Sequence, residues 1–241
     1  MNLVIDQGNT LVKLAVFSNG KIIRHFTEKN LDLELIRNTF REYPSVNRSI
    51  LSSVATYEEE IPGFLSSRSF FIKLDSKTPL PIINKYSTKE TLGYDRIANA
   101  VGAYTIFPSS NVLVIDAGTA ITFDLITLKG EFYGGNISPG LDLRFRALNR
   151  YTKKLPLVEK HEDFELIGTS TRDAILSGVM NAVIFEVDGY IYEMRNKFPD
   201  IKIVLTGGDI NYFVKKLKNI IFVDSNLNLS GLNRILEFNA K

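Results

Sequence analysis

Cysteine is absent from this 241-residue chain, and histidine occurs only twice. Without cysteine the protein can have no disulfide, no thiolate metal site and no cysteine nucleophile. His25 and His161 stand in neither a metal-ligand nor a catalytic-triad spacing. These absences exclude thiol chemistry and argue against a zinc site or a hydrolase triad.

An excess of charge of either sign is also missing, since 29 Lys and Arg stand against 27 Asp and Glu, for a formal net charge of +2. Such a balance gives no strong steering toward nucleic acid or a membrane surface. The longest apolar run, residues 174–185, is too short to span a membrane. Asp6 interrupts the first apolar stretch and no basic leader precedes it, which argues against a signal peptide. Together with the lack of cysteine, these features predict a cytoplasmic protein that binds neither nucleic acid nor membrane.

One motif occurs twice: Leu-Val-Ile-Asp-Gln-Gly-Asn-Thr at residues 3–10 returns as Leu-Val-Ile-Asp-Ala-Gly-Thr-Ala at residues 113–120. Each copy is an apolar run, an Asp, a spacer, a Gly and a small polar residue, followed by a second β-rich run. The pattern predicts a hairpin whose tight turn carries a carboxylate, and a repeat of this kind indicates a duplicated fold. Two such hairpins would place Asp6 and Asp116 on opposite walls of one cleft, which is suited to a nucleoside triphosphate and its cations. Gly8 and Asn9 tolerate positive φ, so this turn could aim N–H groups at an anion.

Both halves of the chain alternate strand and helix signals in the same order. The first half predicts strands at 3–5, 11–17, 21–26, 49–53 and 70–73 and helices at 31–41, 58–65 and 95–107. The second half predicts strands at 112–116, 121–127, 131–136, 201–205 and 220–223 and helices from about 141, at 171–198, 210–217 and 229–238. A Pro-Ser-Ser-Asn break after residue 107 divides them, so we predict two α/β domains, 1–109 and 110–241, with a hinged crevice between them.

Three further motifs carry polar groups that could do chemistry. In Gly93-Tyr94-Asp95-Arg96 the Asp falls in the first turn of a helix, where it could accept a hydroxyl proton or only complement the helix dipole. Residues 134–140, with three glycines and a proline, predict a shaped loop for close backbone approach. The Gly-Gly turn of residues 206–209 lies between a strand and a helix, as at a nucleotide-binding junction, although it could be a plain turn capped by Asp209. The basic residues between 144 and 154 fit a solvated helix face.

These motifs, in this order and across essentially the whole chain, resemble the type III pantothenate kinase family of the superfamily that contains acetate kinases, sugar kinases, heat-shock chaperones and actin. Residues 6–13 match the family's first phosphate loop, 93–96 its substrate motif, and 116–122 its second phosphate loop. Residues 134–140 and 206–209 match as well. The resemblance implies an α/β fold of two tandem ribonuclease H-like (actin-like ATPase) domains, each a mixed β-sheet with flanking helices, around a cleft.

The resemblance also implies a reaction, in which ATP and pantothenate give ADP and 4′-phosphopantothenate in the first step of coenzyme A synthesis. Asp95 would be the catalytic proton acceptor, Asp116 would hold a monovalent cation (potassium or ammonium), and Asp6 would hold Mg²⁺ through water. The implied ATP contacts are Asp6, Gln7, Gly8, Asn9, Thr10, Leu11, Val12, Lys13 and Thr119. The implied pantothenate contacts are Tyr86, Gly93, Tyr94, Asp95, Arg96 and Thr171. Family members are homodimers, and the helix at 171–198 would form part of that contact.

One position departs from the family pattern, because Lys89 stands where many members have a Pro between the Tyr and the Gly-x-Asp-Arg motif. Two other functions remain open. The chain could be a non-catalytic relative that serves as a transcriptional accessory factor, or another small-molecule kinase or ATPase of the same fold. The complete motif set and the near-neutral charge argue against the first, and the Gly-x-Asp-Arg match argues against the second.

Overall fold

The computed structural model describes residues 1–240, which form two compact units. One unit comprises Met1–Ile106 together with residues 226–240, and the other comprises Phe107–Ser225. Each has a mixed β-sheet and its own apolar core.

The first unit is built on a five-stranded sheet. Its elements are β1 (Asn2–Gln7), β2 (Val12–Ser18), β3 (Lys21–Glu28), α1 (Leu33–Glu42), β4 (Arg48–Ser53), α2 (Glu60–Arg68), β5 (Phe70–Lys73), the short β6 (Ile83–Asn84), a 3-10 turn at Lys89–Thr91 and α3 (Tyr94–Ile106). The sheet order is β3-β2-β1-β4-β5. β1 pairs antiparallel with β2 and parallel with β4, so its carboxyl end, which carries Asp6, lies between a hairpin turn and a crossover strand.

The second unit repeats this plan. Its elements are β7 (Val112–Ala117), β8 (Ala120–Ile126), β9 (Glu131–Pro139), α4 (Leu141–Tyr151), α5 (Thr171–Lys197), β10 (Lys202–Thr206), α6 (Asn211–Val214) and β11 (Phe222–Val223). These strands run in the order β11-β10-β7-β8-β9, with β7–β8 antiparallel and β7–β10 parallel. β7 to β11 thus take the places of β1 to β5, and the predicted duplication of an α/β fold is confirmed.

The last helix, α7 (Leu227–Asn239), packs on α3 in the first unit. The two backbones almost touch, because a Cβ built on Gly231 would lie 1.8 Å from the carbonyl oxygen of Ala98. The Nδ2 of Asn2 also donates to Oδ1 of Asn233 over 2.8 Å. The compact units therefore differ from the predicted division 1–109 and 110–241 at the end of the chain.

The helix α5 is the central helix of the second unit. Val179, Val183, Val187 and Ile191 recur every four residues and lie in its core. Among residues 1–240, α5 alone is long and apolar enough to cross a membrane by length and composition. The core helix of a globular unit can have the same length and composition.

Some helix ends differ from the prediction for identifiable local reasons. α1 begins after Asp32, not Asn30, because the Asp32 carboxylate accepts the N–H of Leu35 over 2.7 Å. α5 begins as predicted, with Ser170 accepting from the N–H of Asp173. The helix predicted at 210–217 is reduced to the four residues of α6, so its N-terminus offers no extended helix dipole to an anion.

Candidate functional site

The turn after β1 carries the first predicted phosphate loop. Asp6 is the penultimate residue of β1 and lies opposite Lys13 on β2 and Ser52 on β4. The Gly8 N–H donates to the carbonyl of Leu11 over 3.0 Å and closes the turn. Neither Gly8 nor Asn9 has a positive φ in the described part of the chain, so this turn does not use the left-handed conformation that both residues tolerate.

The Asp6 carboxylate has an unusual electrostatic environment. Burial raises the pKa of Asp6 from 3.8 to about 6, the Lys13 cation lowers it, the nearby Asp95 carboxylate raises it, and a hydrogen bond with Ser52 lowers it. An acid that is held partly desolvated close to a second carboxylate favours a proton or a bound cation. The Asp6 carboxylate therefore favours a positive charge beside it.

The residues predicted to contact ATP differ in how their side chains are placed. Asn9, Thr10 and Leu11 are exposed, and Lys13 is half-buried beside Asp6. Gln7 and Val12 face inward. The Gln7 amide donates to the Thr56 carbonyl and accepts from the Ser53 hydroxyl, and Val12 belongs to the core. Any contact of these two residues with a ligand would use their main chain.

The Gly93–Arg96 motif forms the first turn of α3. Asp95 is exposed, and its Oδ1 accepts the N–H of Arg96 over 2.8 Å, which fixes the carboxylate at the helix start. Gly93 is required at its position, because a Cβ there would lie 2.5 Å from that same oxygen. Tyr94 is half-buried and lines a small cavity with Leu74. The motif thus presents one oriented carboxylate to the surface.

Tyr86 and Arg96 come together beside this carboxylate. The Arg96 side chain is buried, its guanidinium lies 5.3 Å from the centre of the Tyr86 ring, and one of its nitrogens is 3.5 Å from the Tyr86 hydroxyl. A 3-10 turn spans Lys89–Thr91, and Tyr86 lies within reach of Arg96 in this chain. Four of the predicted substrate residues, Tyr86, Gly93, Asp95 and Arg96, therefore cluster in the first unit.

The second unit repeats the carboxylate turn between β7 and β8. The Gly118 N–H donates to the Ala120 carbonyl over 3.1 Å, as the Gly8 N–H does to Leu11 in the first turn. Asp116 is half-buried near the end of β7, and Thr119 is exposed at the tip. The predicted cation ligand and the predicted ATP contact thus lie three residues apart on one turn.

Two other glycine motifs meet at this second turn. The N–H of Gly140 donates to the Thr119 carbonyl over 3.1 Å, and the N–H of Asp209 donates to the Ala117 carbonyl over 2.9 Å. Gly207 has a φ of +105° and lies so close that a Cβ would be 2.4 Å from the Ala117 oxygen. The turn at residues 116–119, Gly140 and residues 207–209 therefore lie together, although more than ninety residues of sequence separate the first from the last. We call this group the second-turn cluster.

The predicted loop at 134–140 is mostly strand. β9 continues to Pro139, and a Cβ on Gly135 would lie 1.6 Å from the carbonyl oxygen of Phe123 on the paired strand β8. Gly134 has a φ of +78° beside an irregularity in this pairing. These two glycines serve strand pairing, and only Gly140 approaches the turn.

Two cations hold the second-turn cluster together, and the sequence prediction missed both. Lys160 carries no prediction from the sequence, yet its Nζ lies 2.7 Å from Asp209 Oδ1 and 2.9 Å from Asp142 Oδ2. Arg144 was placed on a wet helix face, yet it donates to the Pro139 carbonyl and the Ser138 hydroxyl and pairs with Glu186. Neither has a sequence signature, because the ion-pair partners Asp142, Asp209 and Glu186 lie 18 to 49 residues away along the chain.

Thr171, the last predicted substrate residue, is the first residue of α5 and is exposed. It lines a largely apolar cavity of about 760 Å³ between α4 and α5, together with Leu148, Ile175 and Val179. The cavity belongs to the second unit, as does Thr171.

Cation binding at these turns would need oxygen donors from a ligand. In residues 1–240 no group of three or more Asp, Glu, His or Cys side chains is placed to hold a metal ion. Asp6 and Asp116 each supply a single carboxylate. Mg²⁺ in proteins commonly takes one or two carboxylates, waters and substrate phosphates, so the residues present fit a cation that arrives with a phosphate ligand.

Several solved structures that share this fold are named as sugar kinases. The chain is similar to a ROK hexokinase from Thermus thermophilus, with a TM-score of 0.55, 12% identity and 99% of each chain covered. It is also similar to a Campylobacter jejuni protein named for the Baf family of transcriptional activators, with a TM-score of 0.63, 22% identity, and 99% and 98% of the two chains covered. These likenesses show the fold, which is that of the actin-like ATPases and ROK sugar kinases with two ribonuclease H-like domains.

Sequence comparisons identify one family among the proteins that share this fold. The model of the type III pantothenate kinase family matches residues 2–193. A type III pantothenate kinase of Phocaeicola vulgatus is 44% identical over 242 residues, covering 100% of both chains. That of Christiangramia forsetii is 44% identical over 241 residues, covering 99% of both. The chain belongs to the type III pantothenate kinase family.

Proposed function

We propose that this chain transfers the terminal phosphoryl group of ATP to the hydroxyl of pantothenate, giving 4′-phosphopantothenate for coenzyme A synthesis. The observation that carries the proposal is the first turn of α3, where the exposed Asp95 carboxylate is held by the Arg96 N–H beside the Tyr86–Arg96 pair. One oriented carboxylate next to a buried guanidinium suits a substrate that has both a hydroxyl to activate and a carboxylate to bind.

Asp95 would orient the hydroxyl of pantothenate and accept its proton. A carboxylate is a weak base at neutral pH, but the transition state of phosphoryl transfer is loose, so the proton can leave late and orientation contributes most. Arg96 would attract the pantothenate carboxylate, with Tyr86, Gly93, Tyr94 and Thr171 as further contacts. Asp95 lies close enough to Asp6 to raise its pKa, so the proposed base and the first phosphate turn are neighbours within the first unit.

The two turns would bind ATP through different groups. Asn9, Thr10 and Lys13 offer side-chain donors at the first turn, with Gly8 and Leu11 beside them, and Thr119 offers a hydroxyl at the second. Gln7 and Val12 are buried and would contribute main-chain groups. Donors placed before the reaction stabilise the charge that spreads over the transferred group without further reorganisation.

Cations would make two carboxylate turns compatible with a polyphosphate. Asp6 would hold Mg²⁺ through water, and Asp116 would hold a monovalent ion, potassium or ammonium. When bound, such ions neutralise phosphate charge and fix the phosphate geometry. The raised pKa of Asp6 supports this assignment, because its carboxylate is poorly solvated without a positive partner.

The chain would act as a homodimer in the cytoplasm, where ATP is available. Exposed apolar side chains on α5, namely Phe185 and Tyr192, support a partner contact along this helix. Sedimentation of the purified chain at twice its own mass would support the dimer, and a single monomeric species would refute it.

A substrate panel tests the proposed reaction most broadly. Purified chain, ATP, Mg²⁺ and either potassium or sodium would be incubated with pantothenate, glucose, N-acetylmannosamine or acetate, and phosphorylated products would be identified by mass spectrometry. Phosphate transfer to pantothenate alone, faster with potassium than with sodium, is expected. Transfer to a sugar or to acetate with none to pantothenate would assign the chain to another kinase activity.

A further inference from the structure

We propose that Lys160 is a positioning residue that fixes the geometry of the second-turn cluster for ATP, an inference that rests on the function proposed above. Lys160 lies in the irregular segment between α4 and α5, and nothing in its local sequence distinguishes it from the neighbouring lysines. Its importance follows from the two carboxylates that it joins and from what those carboxylates are attached to.

The Lys160 ammonium forms two short ion pairs at once. Its Nζ lies 2.7 Å from Oδ1 of Asp209 and 2.9 Å from Oδ2 of Asp142. The Lys160 side chain is 23% exposed and that of Asp209 only 13%. The Asp142 side chain is 57% exposed, so only the Lys160–Asp209 pair is partly buried. Solvent screens such a pair much less than a surface pair, and loss of Lys160 would leave Asp209 without its cation.

Each carboxylate belongs to a segment that holds the turn at Asp116–Thr119. The backbone N–H of Asp209 donates to the carbonyl of Ala117. Asp142 lies two residues after Gly140, whose N–H donates to the carbonyl of Thr119. Lys160 therefore ties together the two segments that fix the main chain on both sides of Gly118.

The charges around Asp209 also favour a role for Lys160. Burial raises the pKa of Asp209, while its hydrogen bond and charge interaction with Lys160 lower it and the Asp142 carboxylate raises it. Without the ammonium, two uncompensated carboxylates would lie beside a turn that has to accept polyphosphate. Removing Lys160 should therefore weaken ATP binding through both geometry and repulsion.

A residue that only stabilises the fold would behave differently from a positioning residue. If Lys160 only anchored its own segment, its loss would lower the melting temperature and leave the affinity of the folded protein for ATP unchanged. If it positions the second turn, the folded variant binds ATP more weakly, whereas kcat at saturating ATP changes little because the ion partners of Lys160 are Asp142 and Asp209 and not the proposed base Asp95.

The test compares Lys160→Met with Lys154→Met in the full-length chain. Lys154 lies in the same segment, is exposed and has no ion pair in the described structure. Binding of ATP with Mg²⁺ is measured by titration calorimetry, and KM for ATP and kcat are measured with pantothenate. For Lys160→Met we expect about a tenfold higher Kd and KM for ATP, with kcat within about twofold, and for Lys154→Met no change. Lys160→Arg, which keeps the charge, should recover most of the lost affinity.

An ATP affinity of folded Lys160→Met equal to that of the unchanged chain would overturn the inference. If Lys160→Met does not fold, Lys160→Gln replaces it, because Gln keeps a donor for Asp209. A Kd for ATP raised at least threefold would then support the inference, and an unchanged Kd would overturn it. The calorimetric measurement does not need pantothenate. Unchanged chain that binds ATP but phosphorylates no pantothenate would therefore refute the proposed function and leave Lys160 testable.

Discussion

At the scale of single residues, the candidate site depends on a glycine that leaves room for a carboxylate. A Cβ at Gly93 would lie 2.5 Å from Oδ1 of Asp95, whereas the N–H of Arg96 holds that oxygen at 2.8 Å. The pattern Gly-x-Asp-Arg therefore has a physical reason within this chain. Because Gly93 has no side chain, the Asp95 carboxylate has room to point outward from the first turn of α3.

Gly93→Ala should separate catalysis from ATP binding. The new methyl group forces the Asp95 carboxylate to rotate, so we expect kcat to fall about tenfold or more while the Kd for ATP stays within about twofold. Steady-state kinetics and calorimetry measure the two quantities. Gly63→Ala is the matched control, because a Cβ there meets nothing within 4 Å. A Gly93→Ala enzyme with full kcat would show that Asp95 needs no such room.

Asp6→Asn should make the protein more stable at neutral pH and inactive. The folded-state pKa of Asp6 is about 6 against 3.8 as the unfolded reference, so folding favours its acid form. Stability from this group is present below pH 4 and lost as pH rises through 6, by at most about 3 kcal/mol. Asn carries no charge, so the melting temperature should rise at pH 7.5 and change little at pH 4.

Asp75→Asn is the control for that experiment, because the pKa of Asp75 is shifted in the opposite direction from that of Asp6. Hydrogen bonds from the Thr78 hydroxyl and the Lys77 N–H lower the pKa of the exposed Asp75 carboxylate, so its loss should not stabilise the protein at pH 7.5. If Asp6→Asn lowered the melting temperature at pH 7.5 as much as at pH 4, the buried Asp6 carboxylate would not be a source of instability.

At the scale of elements, α7 supports the helix that carries Asp95. Its Gly231 packs against the backbone of Ala98, and Gly102 on α3 packs against Leu227 in the same way. The Asn228 side chain also donates to the Asp95 carbonyl over 3.4 Å. The last helix, α7, therefore fixes the position of the α3 N-terminus, although the two are far apart in sequence.

Gly231→Ala should loosen this support. Its Cβ would meet backbone atoms, which cannot rotate away, so we expect a loss of about 1–3 kcal/mol in the free energy of unfolding and a lower kcat. Chemical denaturation and kinetics give both values. Gly63→Ala on α2, where a Cβ meets nothing within 4 Å, should leave kcat near its starting value and should not lower the stability. Equal stabilities for the two variants would contradict the close packing of α3 and α7.

The repeated elements could be predicted from the sequence because local patterns specify them. The hairpin β1–β2 and its copy β7–β8 follow from alternating apolar residues around Asp-x-Gly turns. Between β2 and β3, Asn19 and Gly20 have φ of 50° and 74°, the left-handed turn that an Asn-Gly pair favours. The return of α7 to the first unit could not be predicted, because packing against α3 leaves no local pattern. The ion pairs of Lys160 were missed for the same reason, since they join residues that are distant in sequence.

At the scale of the whole molecule, the chain is one fold used twice with different tasks. The first unit combines a carboxylate turn with the Asp95 helix, and the second combines the same turn with the glycine cluster and Lys160. Duplication of the fold explains why both turns carry an Asp. That Asp6 and Asp116 bind the same nucleotide stays a prediction.

The most direct test of the account compares the unchanged chain with Asp95→Asn for ATP-dependent formation of 4′-phosphopantothenate, followed by mass spectrometry. The account predicts product from the unchanged chain, a rate at least about 100-fold lower in Asp95→Asn, and nearly equal ATP affinity for the two proteins. Product formed at the same rate by both, or by neither while ATP is bound, would contradict it.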